Sequence, residues 1–156
     1  VNGTHLSYGL ATCPVEGSYV WYLDVAFLLG TGVNTIAVLG HNTAVARSSC
    51  RRQPSGFWCQ LDVDDVPVVW SGRTWKMTSA AAYASCRPRR SQAAGFTEEV
   101  DLRRLPEGWT DRDFQDVDWC APDYCHPVSE TRWDLLPFPA PEIRVSTVAF
   151  DGLVPH

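Results

Sequence analysis

A chain of 156 residues suits one domain and is long enough to bury a core. Its 45% hydrophobic content excludes disorder as the default, and a net charge of −5 argues against nucleic acid, which needs a basic surface. The longest apolar runs are far too short to span a bilayer, so no membrane partner is expected, and seven Trp with eleven Pro favour short strands and turns over a helical bundle.

No signal peptide opens the chain. Asn2-Gly3 is a hairpin-turn signal, and Asn2-Gly3-Thr4 is also a glycosylation sequon, although the turn accounts for Asn-Gly without any glycan. Val1 alone cannot be the strand before that turn, and the only Met is Met77. The chain is therefore expected to be a piece of something larger or a mature chain cut from a precursor. Residues 8–17 read as loop and Ser18 to Tyr22 as a short aromatic β-run. Asp24 then caps a single helical turn through Val25 to Leu29, which Gly30 ends. Thr35 to Leu39 is short, almost wholly apolar and bounded by glycines, as a strand buried on both faces is, and is taken as the central strand.

A polar loop follows His41-Asn42 as far as Gly56. Phe57 to Asp64 alternates, with Cys59, Leu61 and Val63 inward and Trp58, Gln60, Asp62 and Asp64 outward, which predicts a half-buried strand. Asp64-Asp65 makes the turn into Val66 to Trp70, where Pro67 demotes the second strand to an edge. Thr74 to Thr78, with Trp75 and Met77 inward, completes a three-stranded meander. Ala80 to Ala84 is moderately helical, and Arg87, Arg89 and Arg90 form a solvated basic loop. Gly95 to Leu102 predicts another strand. Arg103 to Pro122 is loop-like, with Phe114 and Trp119 packing inward around a helical turn. Trp133 to Pro139 is extended, and Ile143 to Phe150 closes with a last strand. Seven or eight short strands with almost no helix predict an all-β sandwich.

Glu98, Glu99 and Asp101 are the densest carboxylate cluster. On a strand Glu99 and Asp101 share a face with Cα atoms about 6.6 Å apart. Carboxyl separations of about 6.5–9.5 Å suit inverting glycosidases. Contact with a neighbouring domain or plain solvation is the simpler expectation. Asp62, Asp64 and Asp65 offer hard oxygen ligands of the kind calcium takes, against the default of a solvated hairpin. Cys120, Cys125 and His126 lack a fourth zinc ligand, so no metal or other cofactor is assigned. Six Cys allow fifteen pairings; Cys120 and Cys125 could close a small loop, and the even number leans slightly towards an extracellular address. For carbohydrate, Trp58 offers an indole face to sugar C–H groups and Gln60 an amide on the same side. His41, Asn42 and Arg47 stand in a loop where such sandwiches hold ligands.

The order of Val1-Asn2-Gly3, Gly32-Val33-Asn34-Thr35-Ile36-Ala37-Val38, the meander with Trp75, Gly95 to Asp101, Pro106-Glu107-Gly108-Trp109 and Phe114 to Trp119 resembles one known setting. This is the amino-terminal, galactose-binding-like jelly-roll β-sandwich of bacterial α-L-rhamnosidases. The chain departs from that pattern at Asp65, where the family typically has Gly, and after His41, where no aromatic follows. The resemblance implies a sandwich over residues 1–142, with short helical turns, and a closing strand or linker over 143–156. It also implies a non-catalytic accessory role in a glycoside hydrolase, bracing a carboxy-terminal catalytic domain and holding sugar, rhamnose-containing by analogy. A free-standing lectin-like or adhesion module is the alternative.

Overall fold

The computed structural model describes residues 1–8, 18–41, 56–84, 88, 91, 97–123, 125 and 134–139. Among them no α-helix occurs; the chain is β and irregular, with two 3-10 turns at Ala26–Leu28 and Leu102–Arg104. Four strands, β1 (Ser18–Val20), β2 (Gln60–Val63), β3 (Val66–Trp70) and β4 (Leu135–Pro137), form two two-stranded sheets. The predicted β-rich, helix-poor character is found in this coarse form. The predicted closing strand, Ile143 to Phe150, lies outside the described residues.

Local turn chemistry sets the first elements. Asn2 and Gly3 both take positive φ, 50° and 79°, as a type I′ turn requires, and Thr4 N–H closes it on Val1 O at 2.9 Å. The Asp24 carboxylate accepts from Ala26 N–H at 3.0 Å, holding the first 3-10 turn where the sequence placed a cap. β1 pairs in parallel with the remote β4, Tyr19 opposite Leu136. Phe138 clips the pair together. Its ring lies 5.3 Å from Tyr19 edge-on and 5.1 Å from Trp21 in a stack, and its N–H reaches Val20 O at 3.0 Å.

β2 and β3 make the predicted hairpin, turned by Asp64 (φ 50°) and Asp65 (φ 62°). Leu61 opposes Val69 and Asp62 opposes Pro67, so Val68 is the extra residue of a β-bulge. The bulge accommodates Pro67, which has no N–H for the ladder.

Four expectations are corrected. Thr35 to Leu39 forms no strand, and Val38 and Leu39 are 46% and 45% exposed, so it is not a doubly buried centre. Its described backbone partner is Asn2, whose N–H meets Thr35 O at 3.0 Å, and one residue does not make a ladder. Thr74 to Thr78 does not add a third strand to the hairpin. Instead Met77 forms a single antiparallel bridge with Cys120, and its side chain is 54% exposed where an inward one was expected. The Trp75 indole N–H donates to Trp70 O at 3.1 Å, and its ring sits 5.4 Å from Phe57, which folds this segment back over the hairpin end. Gly95 to Leu102 is reduced, within its described part, to a bridge between Val100 and Tyr83. Residues 80–84, expected to be moderately helical, form a turn into that bridge. Phe114 and Trp119 do pack together, edge-on at 5.5 Å. Ala82, 3% exposed, is the one buried residue among those described.

Candidate functional site

The hairpin has two chemically different faces. Successive strand residues point to opposite sides, and directly opposed residues share a side. Leu61–Val69 and Val63–Val66 are therefore apolar cross-strand pairs on one face, in line with Cys59. Gln60 opposes Trp70 and Asp62 opposes Pro67 on the other, in line with Trp58. That second face is open to solvent, with Trp58 36% and Trp70 61% exposed.

Of the residues expected to hold sugar, Trp58 and Gln60 thus stand together. Gln60 Nε2 donates to Asp62 Oδ1 at 2.8 Å, which holds the amide along the same face. Behind it Cys59 N–H is anchored on Ser71 Oγ at 3.0 Å and Ser71 N–H on Cys59 O at 2.8 Å. Burial pushes the Cys59 thiol above its ordinary pKa. Two rings for C–H stacking, an amide and a carboxylate can together receive a pyranose edge. Trp70 was missed in the sequence because its side depends on the bulge at Val68; without that register shift the alternation cannot be carried across the turn. His41 is exposed beyond Thr35 to Leu39 and has no described contact with this face; Asn42 and Arg47 lie outside the described residues.

The carboxylate cluster behaves differently. Tyr83 bridges Val100, flanked by Ala84 N–H to Glu99 O (3.0 Å) and Asp101 N–H to Ala82 O (2.9 Å). Beside it is an open depression of about 370 Å³ where Glu99 and Asp101 meet Arg103 and Arg104. Asp101 caps the second 3-10 turn through Arg103 N–H at 3.2 Å and binds the Arg103 side chain bidentately, Nε to Oδ1 at 2.8 Å and Nη2 to Oδ2 at 3.0 Å. Those hydrogen bonds hold its carboxyl below the usual carboxylate range and raise Arg103 in turn. A glycosidase general acid needs the opposite displacement, so Asp101 does not have the character of a proton donor. Glu98 and Glu99 are exposed beside it.

Asp62 is engaged with Gln60, and Asp64 and Asp65 form the turn, so the three acids considered for calcium serve the hairpin. Among the described residues no group of three or more His, Cys, Asp or Glu side chains is gathered as a metal would require. Cys120 and Cys125 are free thiols, not a closed loop; the Cys120 backbone is held by the Met77 bridge instead. His126 lies outside the described residues, and no described helix is long and apolar enough to cross a membrane.

No family model matches the chain, and neither does any curated protein or solved structure.

Proposed function

We propose that this chain is a non-catalytic accessory domain of a glycoside hydrolase of α-L-rhamnosidase type, with a galactose-binding-like jelly-roll fold. It holds carbohydrate on the open face of the hairpin and braces a catalytic neighbour. One observation carries the reading: by strand alternation Trp58, Gln60, Asp62 and Trp70 share a solvent-open face that combines two indoles with a hydrogen-bonded amide and carboxylate. A sugar's C–H groups stack on aromatic rings while its hydroxyls need such polar partners. The Asp101 carboxyl, held low by Arg103, is unsuited to the general-acid half of a glycosidase pair.

Titrating the chain with rhamnose, galactose and their oligosaccharides while following Trp fluorescence and heat tests the binding part. Saturable binding near millimolar, about −4 kcal/mol, is expected for so open a face. No response at that concentration removes the sugar role. The gene tests the rest: a carboxylate-bearing helical barrel encoded after His156 supports the hydrolase, whereas a stop codon there leaves the lectin-like module. Hydrolysis of an aryl rhamnoside by this chain alone would overturn the non-catalytic assignment.

A further inference from the structure

Asn-Gly is the dipeptide in which a backbone nitrogen most readily attacks the preceding side-chain amide, because glycine leaves that nitrogen unhindered. The chain contains one such pair, Asn2-Gly3. Both reacting groups are tied down in the fold. The Asn2 Nδ2 amide donates to Leu28 O at 2.8 Å and to Asn34 Oδ1 at 2.9 Å, and Asn2 Oδ1 accepts from Thr35 N–H at 2.8 Å. The nucleophile, Gly3 N, donates to Thr110 O at 2.8 Å. Asn34 is itself braced, its Oδ1 accepting from Gly30 N–H (2.9 Å) and Arg112 Nη2 (3.3 Å) and its Nδ2 donating to Gly30 O (2.8 Å). Three stretches of chain, the first turn, residues 28–35 and residues 110–112, thus meet at one amide.

We infer that Asn2 is a fold-gated deamidation site, protected while this knot is closed and reactive whenever it opens. In the reaction Gly3 N attacks Asn2 Cγ and loses its proton to solvent base. The Cγ–Nδ2 bond breaks, ammonia leaves, and water opens the resulting succinimide to aspartate or isoaspartate. No oxidant or cofactor is involved. The product cannot restore the knot. A carboxylate has no N–H for Leu28 O or Asn34 Oδ1 and sets an oxygen against them where Nδ2 stood, while isoaspartate adds a backbone atom inside the turn. Each opening therefore carries a chance of permanent loss. A glycan on Nδ2 would replace one of its two hydrogens, so a glycosylated Asn2 could not make both donations.

The test compares the full chain folded in mildly alkaline buffer with the same chain in concentrated urea, following the Asn2 peptide by mass spectrometry for the one-dalton gain. Several hydrogen bonds must open before attack, so the folded chain should react roughly 30-fold more slowly or better. Asn34→Ala removes the central acceptor and should speed the folded reaction roughly tenfold while leaving the rate in urea unchanged. Equal rates in buffer and urea overturn the inference, as does an Asn34→Ala chain that stays folded and reacts no faster. If that variant fails to fold, hydrogen exchange of the wild-type Gly3 and Thr35 amides replaces it. Exchange and deamidation must then rise with urea along the same slope, and a deamidation rate indifferent to urea refutes the gate.

Discussion

Three glycines around the Asn2 knot separate two sources of strain that are usually confounded. A Cβ at Gly32 would meet nothing within 4 Å, but its φ of +87° is left-handed, so Gly32→Ala should register the conformational penalty alone, about 1 kcal/mol. Gly3→Ala carries the same penalty at φ +79° and also places a Cβ 3.0 Å from Asp111 Oδ1. The other oxygen of that carboxylate lies 3.0 Å from where a Cβ on Gly108 would stand, so Asp111 sits between two bare backbones and has little room to yield. About 2 kcal/mol is expected in total. Gly30→Ala has the shortest approach of the three, 2.6 Å to Arg112 Nη2, yet it should be close to neutral. Gly30 lies outside the left-handed region, and the clashing atoms end a flexible side chain whose contacts with Asn34 Oδ1 and Leu28 O are long, 3.3 and 3.5 Å. Swinging the guanidinium out loses little, and a stiffer unfolded chain returns about 0.4–1 kcal/mol. Urea unfolding followed by Trp fluorescence measures all three, and in thermal melts each kcal/mol appears as about 2–4 °C. A Gly30→Ala chain less stable than Gly3→Ala would refute the reasoning, because steric approach would then outweigh backbone conformation.

Asp65→Gly should stabilise the hairpin by about 0.5 kcal/mol, since φ 62° at the second turn position suits glycine better than aspartate; a lower melting temperature would contradict the left-handed backbone at this turn. Trp70→Ala should weaken sugar binding roughly tenfold, equivalent to about 1.4 kcal/mol, and unchanged affinity would place the ligand elsewhere. Asp101, whose folded carboxyl is held low mainly by Arg103, contributes stability that is present above the ordinary carboxylate pKa and is lost as pH falls through the lower folded value. Asp101→Asn should therefore flatten the acid side of the stability profile, and superimposable urea midpoints across pH for the two chains would rule that out. Among the described thiols exposed Cys120 should be alkylated before Cys59, whose thiolate is disfavoured by burial; the reverse order in peptide mapping would place Cys59 at the surface.

What the sequence revealed and what it hid divide along the range of the forces involved. Asn2-Gly3, the Asp24 cap and Asp64-Asp65 were legible because each is decided within about four residues by side-chain acceptors and positive φ. The alternation of Trp58 to Val63 was legible for the same reason, and with it half of the candidate sugar face. Thr35 to Leu39 misled because an apolar run reports hydrophobicity, whereas a strand exists only where a neighbour completes its ladder. The joining of Asn34 to Asn2 and to Arg112 runs across 32 and 78 residues, and the parallel match of Ser18 to Leu135 is longer still. No local periodicity encodes those partners.

The two faces of the hairpin bear on how binding and bracing can share one short element. A two-stranded ribbon is marginal alone in water and needs further packing. Its apolar face carries Leu61, Val63, Val66 and Val69, of which Leu61 alone is half-buried within the described chain. Covering those side chains lowers the free energy by about 25 cal/mol for each Å² removed from water, so this is the face that profits from a neighbour. The opposite face has the reverse requirement. Its amide and carboxylate already satisfy each other, and its indoles gain most from a ligand that can stack and hydrogen-bond at once. A neighbour seated on the apolar side would stiffen the ribbon without occluding Trp58 or Trp70. The bulge at Val68 matters here because it puts Trp70 opposite Gln60 while Val69 stays with Leu61. Regular pairing of the same residues without the bulge would set Trp70 against Cys59 on the packing side and leave the polar side with one ring. On the proposed reading, Pro67 and the bulge it accompanies are what allow one ribbon to serve both a sugar and a supporting contact.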